Sequence, residues 1–110
     1  MAYSIIMAAK IAKRAPNKSF RLGAVLMRGG NVLSRGHNIM ASDKSIHAEA
    51  MCVNKADNAN GATMVVTRIR KDGKLSSSKP CESCMKMLID AGIKKIVFTK
   101  SDGSIETLRL

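Results

Sequence analysis

Two short clusters of residues constrain this chain more than any other feature. The middle of the sequence carries His47-Ala48-Glu49, and a later segment carries Pro80-Cys81-Glu82-Ser83-Cys84. Together they supply one imidazole, two thiols and a spare carboxylate, and imidazole and thiolate are ligands that zinc prefers. A fold that uses them as one zinc site has to bring the two segments to a single point.

The spacing of the second cluster predicts the start of a helix. Proline is favoured at the first helical position, where a missing N–H costs nothing, so Pro80 fits there. Cys81 and Cys84 are then one turn apart, with both sulfurs on one face. The positive end of the helix dipole lowers thiol pKa values, and metal binding requires the thiolate.

His47 and Glu49 are two residues apart, and side chains at that spacing do not lie on the same face in the middle of a helix. At a helix N-terminus the side chains tilt back toward that end and can converge. The sequence predicts such a helix from residue 46 to about residue 57, capped by Asp43 or Ser45. Two helix N-termini would then face one zinc ion.

A site built from one His and two Cys leaves a tetrahedral zinc one ligand short. A catalytic zinc keeps that position for water, whose pKa it lowers toward ~7, whereas a structural zinc fills it with protein. Glu49 would be free to move protons. The alternative is a non-catalytic basic domain that a structural zinc ion stabilises, and such a site needs His37 or Cys52 as the fourth ligand.

The pattern resembles the H-x-E…P-C-x-x-C signature of the zinc-dependent cytidine deaminase superfamily. The resemblance extends over residues 2–100 and includes the stretches 22–27, 31–38 and 91–98, which look like strands and a helix of that family. It implies that His47, Cys81 and Cys84 bind one zinc ion and that Glu49 is the general acid and base.

The resemblance also implies a reaction, the hydrolytic deamination of a cytosine base to uracil with release of ammonia. The expected substrate is a free pyrimidine nucleoside or nucleotide of the cytidine, deoxycytidine or dCMP type. The alternative is cytosine or adenine in single-stranded nucleic acid or tRNA. Asn38 stands where many members carry a substrate-contacting Asn, although it also suits a turn. We add His37, which also suits a plain strand end, and Ala48 as candidate substrate contacts.

Periodicity places the remaining elements. Residues 3–14 read as an amphipathic helix that Pro16 ends, with an apolar side of Ile5, Ile6, Ala9 and Ala12. Strands are predicted at 22–28 and 31–37, joined by Gly29-Gly30, then at 63–69 and 94–99. A turn at 71–74 and an open loop at 76–78 lead to a helix at 80–91, which Gly92 ends.

The last segment, 105–110, follows a tight turn too short for a crossover, so it should return as an antiparallel strand. In the superfamily that arrangement is associated with deaminases of free nucleosides. The resulting expectation is a three-layer α/β/α fold with a mixed five-stranded sheet and about three helices.

The charge is strongly basic, with 19 Lys and Arg against 8 Asp and Glu, a net charge of +11. Such a chain attracts phosphates, or simply carries a solvated basic surface. A basic cluster precedes the second zinc segment and offers a phosphate contact: Arg68, Arg70, Lys71, Lys74 and Lys79. The chain has only three aromatic residues, which disfavours a stacking platform for a polynucleotide.

Size and cysteine usage complete the expectations. The 110 residues fit one domain over 1–110, small enough to gain stability as a homo-oligomer. Cys52 is expected to be an ordinary buried thiol, with a second metal site or a redox role as the alternative. No disulfide framework, membrane span or secretory signal is evident, so a cytoplasmic location is expected.

Overall fold

The computed structural model describes residues 2–15, 21–40 and 45–110. Each of three helices is followed by two or more strands, and the helices flank a sheet. The helices are α1 (Ala2–Ala12), α2 (Ala48–Lys55) and α3 (Glu82–Asp90), and the strands are β1 (Arg21–Arg28), β2 (Asn31–His37), β3 (Ile39–Met40), β4 (Ser45–Ile46), β5 (Thr63–Ile69), β6 (Leu75–Ser76), β7 (Lys95–Thr99) and β8 (Ile105–Arg109).

The main sheet has the strand order β2-β1-β5-β7-β8, with β6 paired to β5. Strands β5 and β7 run parallel, while the other pairs are antiparallel, including β7 with β8. The predictions of a mixed sheet and an antiparallel last strand are therefore confirmed. The sheet has six strands against the predicted five, because the two-residue strand β6 lies partly in the segment predicted as an open loop. A separate two-stranded ribbon, β3 with β4, was not predicted either.

Strand β5 divides one of its edges between two neighbours. On one edge, strand β1 pairs with the whole of β5, from Thr63 to Ile69. On the other edge, β7 pairs with Thr63 to Val66, and β6 takes over at Arg68 and Ile69. The sheet therefore opens beside the end of β5, close to where the chain enters α3.

Helix α1 covers one face of the sheet and packs on Val25, Val65 and Val97. Its buried side chains include Ile5, Ala8, Ile11 and Ala12, whereas Ile6 is 54% exposed. The predicted apolar side was thus wrong at Ile6, since the real stripe follows positions 5, 8, 11 and 12. Pro16, the predicted end of this helix, lies outside the described residues.

Helices α2 and α3 cover the opposite face. Their buried side chains, such as Cys52 and Leu88, pack with the alternate residues of the same strands, among them Leu26, Met64 and Phe98. Successive side chains of a strand point to opposite faces of the sheet, so each central strand contributes residues to the hydrophobic cores on both faces. This confirms the predicted three-layer α/β/α fold, with the segments of both zinc-site clusters on one side of the sheet.

The turn between β1 and β2 follows the prediction. Gly29 and Gly30 both have positive φ angles, 58° and 83°, which a two-residue turn of this hand requires. In the part of the chain that the structure describes, no helix has the length and apolar character needed to span a bilayer. The single domain over 1–110, the cytoplasmic location and the homo-oligomer stay predictions.

Replacing Gly36 by Ala tests how closely β2 packs on α2. A methyl group there would lie 2.5 Å from the Ala48 carbonyl oxygen and 3.1 Å from the Cys52 amide nitrogen. Both are backbone atoms, so the helix has to shift. We expect Gly36→Ala to lower the free energy of unfolding by about 3 kcal/mol, measured by urea denaturation.

Gly103→Ala is the control for that substitution. Nothing lies within 4 Å of the added methyl group at Gly103. Its cost comes from the positive φ alone, about 1 kcal/mol. Equal losses at the two positions would contradict close packing between β2 and α2.

Candidate metal centre

The predicted ligands His47 and Cys81 occupy equivalent positions in the fold. Each is the N-cap residue of its helix, α2 for His47 and α3 for Cys81. Each has extended φ and ψ angles and accepts the first helical hydrogen bond with its carbonyl, from Met51 and Met85 respectively. Neither side chain makes a capping hydrogen bond, so both are available for another partner.

These caps correct two predictions. Pro80 precedes the N-cap and is not the first helical residue. Ser45 belongs to β4 and does not cap α2, and Asp43, the other predicted cap, lies outside the described residues. The periodicity identified both helices, but the position of each first turn depends on a loop that approaches from outside the helix.

The two caps bring the sulfur and nitrogen ligands together. The Sγ of Cys84 lies 3.0 Å from His47 Nδ1, and the Sγ of Cys81 lies 3.9 Å from the same nitrogen. The possible ligand atoms of all three residues lie within 4.8 Å of one another. Cys84 is buried in the first turn of α3, whereas Cys81 is exposed.

The donor set fits zinc. Zn–N and Zn–S bonds of about 2.0–2.3 Å in a tetrahedral site place neighbouring ligand atoms about 3.6 Å apart. The two His47–Cys distances, 3.0 and 3.9 Å, lie on either side of that value. Among the described residues, these three form the only group of His, Cys, Asp or Glu side chains close enough to share an ion.

Glu49 lies in the first turn of α2 and is only 3% exposed. Its Oε1 is buried and has no hydrogen-bond partner among the described residues. Burial is the main influence on this carboxyl and raises its pKa, against a smaller opposing effect from the nearby imidazole of His47. A buried polar atom without a partner is costly and rare, so its presence beside the ligand group indicates a site kept for a bound molecule.

The two thiols differ in their acidity. Hydrogen bonds from the Ser83 hydroxyl, 3.3 Å away, and from the Cys84 backbone lower the pKa of Cys81 to about 7. Burial and the neighbouring Glu49 raise the pKa of Cys84 to about 12. The predicted lowering of thiol pKa at the start of the helix therefore holds for Cys81 alone, and a cation that binds here has to displace a proton from Cys84.

The candidate substrate contacts lie at the end of β2 and the start of α2. The Oδ1 of Asn38 accepts a hydrogen bond of 2.8 Å from the Leu22 backbone, and the Asn38 amide donates back to Leu22. His37 is partly buried, with Nδ1 3.2 Å from the Asn38 carbonyl oxygen. Ala48 is fully buried. The Asn38 side chain thus extends the β1–β2 pairing, and contact of these three residues with substrate stays a prediction.

The two proposed fourth ligands do not join the ligand group. Cys52 is fully buried and its thiol donates to the Ala24 carbonyl oxygen, 3.3 Å away. Burial raises the pKa of Cys52 to about 12, as expected for an inert thiol. Since neither Cys52 nor His37 belongs to the group in the described part of the chain, the closed ligand set of a structural zinc is not formed.

The family follows from a comparison with known sequences. Residues 2–100 match the family described as the cytidine and deoxycytidylate deaminase zinc-binding region. The chain belongs to this family. The resemblance to the cytidine deaminase superfamily is thereby confirmed, and the family description together with the His and Cys group points to zinc. No curated protein sequence matches the chain significantly.

Solved structures show the same fold at low identity. Cytidine deaminase from Burkholderia pseudomallei has a TM-score of 0.80 and 22% identity, covering 98% of this chain and 91% of its own. The dCMP deaminase from cyanophage S-TIM5 has a TM-score of 0.76 and 20% identity, covering 91% and 82%. A deaminase/reductase from Thermotoga maritima has a TM-score of 0.64 and 24% identity over 90% of this chain and 29% of its own.

Removal of a thiol tests the ligand group. We expect Cys81→Ala and Cys84→Ala to lose stoichiometric zinc, because two remaining donors hold the ion poorly. Cys52→Ala is the matched control and should retain one zinc per chain, measured by elemental analysis after dialysis. Zinc retained by both Cys81→Ala and Cys84→Ala would contradict the assignment.

The buried carboxyl gives a separate, metal-free prediction. Glu49→Gln removes a carboxyl whose ionised form is disfavoured by burial, so we expect it to raise the free energy of unfolding of the chelator-treated protein by about 1 kcal/mol near neutral pH. Burial raises the folded-state pKa above the ordinary value of 4.5, so the stability of the Glu49 protein should fall as pH rises through and above that value. The gap between the variants should therefore widen with pH in urea titrations. A gap independent of pH would contradict this account of Glu49.

Proposed function

We propose that this protein is a zinc-dependent hydrolase that deaminates a cytosine base in a free nucleoside or nucleotide. The observation that carries the proposal is the buried carboxyl of Glu49, with one unpartnered oxygen, beside a three-residue ligand group at two helix starts. A structural metal site has no need of such a carboxyl. A hydrolytic site needs a group that takes a proton from water and delivers it to the substrate.

His47, Cys81 and Cys84 would hold the ion, which when bound supplies a Lewis acid and lowers the pKa of water. The chain's own contribution is proton transfer. Glu49 would accept a proton from the water that attacks the ring carbon bearing the amino group. It would deliver that proton to the ring nitrogen and move a second one to the departing amine, so water and cytosine become uracil and ammonia.

The environment of Glu49 suits that role. Burial favours the neutral carboxyl, while the neighbouring His47 favours the carboxylate. A carboxyl with a raised pKa can take up a proton as a base and hold it until it is delivered as an acid. Because Glu49 is 3% exposed, bulk water does not compete for the proton that it carries.

The preference for a small substrate rests on the sheet and on the relatives. The last strand, β8, is antiparallel to β7, an arrangement that in this superfamily is associated with deaminases of free nucleosides. The structural neighbours include a cytidine deaminase, and the S-TIM5 dCMP deaminase has been solved with dCMP and dUMP. The family description likewise concerns cytidine and deoxycytidylate. Together these observations favour a free nucleoside or nucleotide over a nucleic acid as the substrate.

A phosphate contact is proposed at the end of β5. Met64 and Val66 point to the face covered by α2 and α3, so the alternation of the strand directs Arg68 to the same face. Arg68 lies opposite Leu22, the residue whose amide is bonded by Asn38. Because of this face and this register, we propose Arg68 as the candidate in the basic cluster for a substrate phosphate.

A substrate panel tests the proposed reaction. Zinc-loaded protein should release ammonia from at least one of cytidine, deoxycytidine and their mono- and triphosphates. Glu49→Gln should retain zinc and lose turnover by about a thousandfold or more, because a positioned acid and base contributes that much to such reactions. If Glu49→Gln released ammonia from the panel as the wild-type protein does, the proton-transfer role proposed for Glu49 would be wrong.

The same assay separates the substrate classes. Arg68→Ala should slow deamination of a nucleotide more than of a nucleoside, while replacement of the exposed Arg35 of β2 by Ala should change neither. A cytosine-containing oligonucleotide is the second arm. Its conversion with every free nucleoside and nucleotide left intact would overturn the proposal of a small substrate.

A further inference from the structure

Three serines precede Pro80, and the structure separates them. Ser77 is exposed, whereas Ser78 is only 3% exposed. Ser78 uses its hydroxyl and its backbone within the sheet, although the sequence predicts an open loop there. Its amide donates to the Thr99 carbonyl oxygen at 2.9 Å, so the chain pairs with the end of β7 before it enters α3.

The Ser78 hydroxyl stands between β5 and β7 where their parallel pairing ends. The last pair is Val66 with Phe98, and a continued ladder would join the Thr99 amide to the Val66 carbonyl. Instead, Ser78 Oγ donates to the Val66 carbonyl oxygen at 2.8 Å and accepts from the Thr99 amide at 2.8 Å. One side chain thus bridges the two strands and holds them apart.

Thr99 extends this hydroxyl network. It is fully buried, and its Oγ1 donates to the Ser76 carbonyl oxygen and lies 2.9 Å from Ser78 Oγ. The segment from Ser76 to Ser78 is therefore fixed to the sheet by buried bonds. Buried hydrogen bonds of this kind hold one arrangement, because a lost partner leaves a polar group unsatisfied.

The three metal-ligand candidates depend on different supports. Cys84 lies within the first turn of α3, which packs on the sheet through the fully buried Leu88. His47 caps α2. Cys81 is exposed and lies outside the helical turns, three residues after Ser78, with only Lys79 and the buried Pro80 between them. Its carbonyl is bonded to α3 through the Met85 amide, so its placement relative to the sheet depends on α3 and on the Ser78 attachment together.

We propose that Ser78, supported by Thr99, is a positioning residue for Cys81 and so sets the affinity and coordination of the metal site. The inference rests on the proposed zinc site and adds a residue outside the ligand group of His47, Cys81 and Cys84. Without the hydroxyl, the Val66 carbonyl and the Thr99 amide either lose their partner or bond each other. Either change weakens the attachment of the loop that carries Cys81, which then keeps only the Ser78 amide bond and the Thr99 hydroxyl bond to the sheet.

The test measures metal binding by the full chain rather than turnover. Zinc affinity from competition with a chromogenic chelator should fall about tenfold or more in Ser78→Ala, as for other groups that orient ligands. Ser77→Ala, one residue away and exposed, is the matched control and should bind as wild type does. Thr99→Val, which keeps the side-chain shape, should weaken binding, and Thr99→Ser should restore it.

Cobalt(II) in place of zinc separates positioning from general destabilisation. Thiolate ligands give bound cobalt a charge-transfer absorption that grows with their number, so Ser78→Ala should lose intensity relative to wild type while Ser77→Ala keeps it. Two outcomes would overturn the inference: Ser78→Ala and Thr99→Val binding zinc within about twofold of wild type, or weaker binding with the full thiolate absorption. A wild-type chain that binds no zinc would instead overturn the proposed function itself.

Discussion

The structure depends on two helix N-caps that face one another across a small gap. An N-cap side chain normally accepts a hydrogen bond from the first turn of its helix. Here the caps are His47 and Cys81, and neither side chain makes such a bond. Both helices therefore lack the side-chain hydrogen bond that usually caps an N-terminus. The two side chains point instead to a shared position, where Cys84 also lies.

The sheet creates the space for this arrangement. Strand β5 pairs with β7 over its first half and with β6 at its end, so its neighbours diverge beside the start of α3. Ligands in open α/β sheets commonly bind beyond the carboxyl ends of strands, where such a gap exists. In this chain the gap is held by a side chain, Ser78, and the same residue attaches the loop that carries Cys81.

Glu49 shows how stability and chemistry conflict at the site. A carboxyl with an unpartnered oxygen in the interior destabilises the folded chain, and nothing in the packing of α2 requires it there. Its neighbour Ala48 and the nearby Cys52 are fully buried and pack in the α2 and α3 core without such a cost. Proteins that carry a local arrangement of this kind usually do so at functional sites.

The sequence by itself determined most of the elements and indicated the candidate site. Local signals predicted five of the strands: β1, β2, β5, β7 and the antiparallel β8. These signals are the alternation of apolar residues, the pair Gly29-Gly30 and the short last turn. The spacing of His47, Glu49, Cys81 and Cys84 indicated the zinc chemistry, since few other uses need that donor set. Only the tertiary structure decided which residues cap the helices and that Ile6 is exposed. It also decided that Asn38 bonds Leu22 and that Ser78 bridges Val66 and Thr99. Each of these depends on which distant backbone group a side chain meets, and a serine in a loop has the same local sequence signal whether it faces water or two diverging strands.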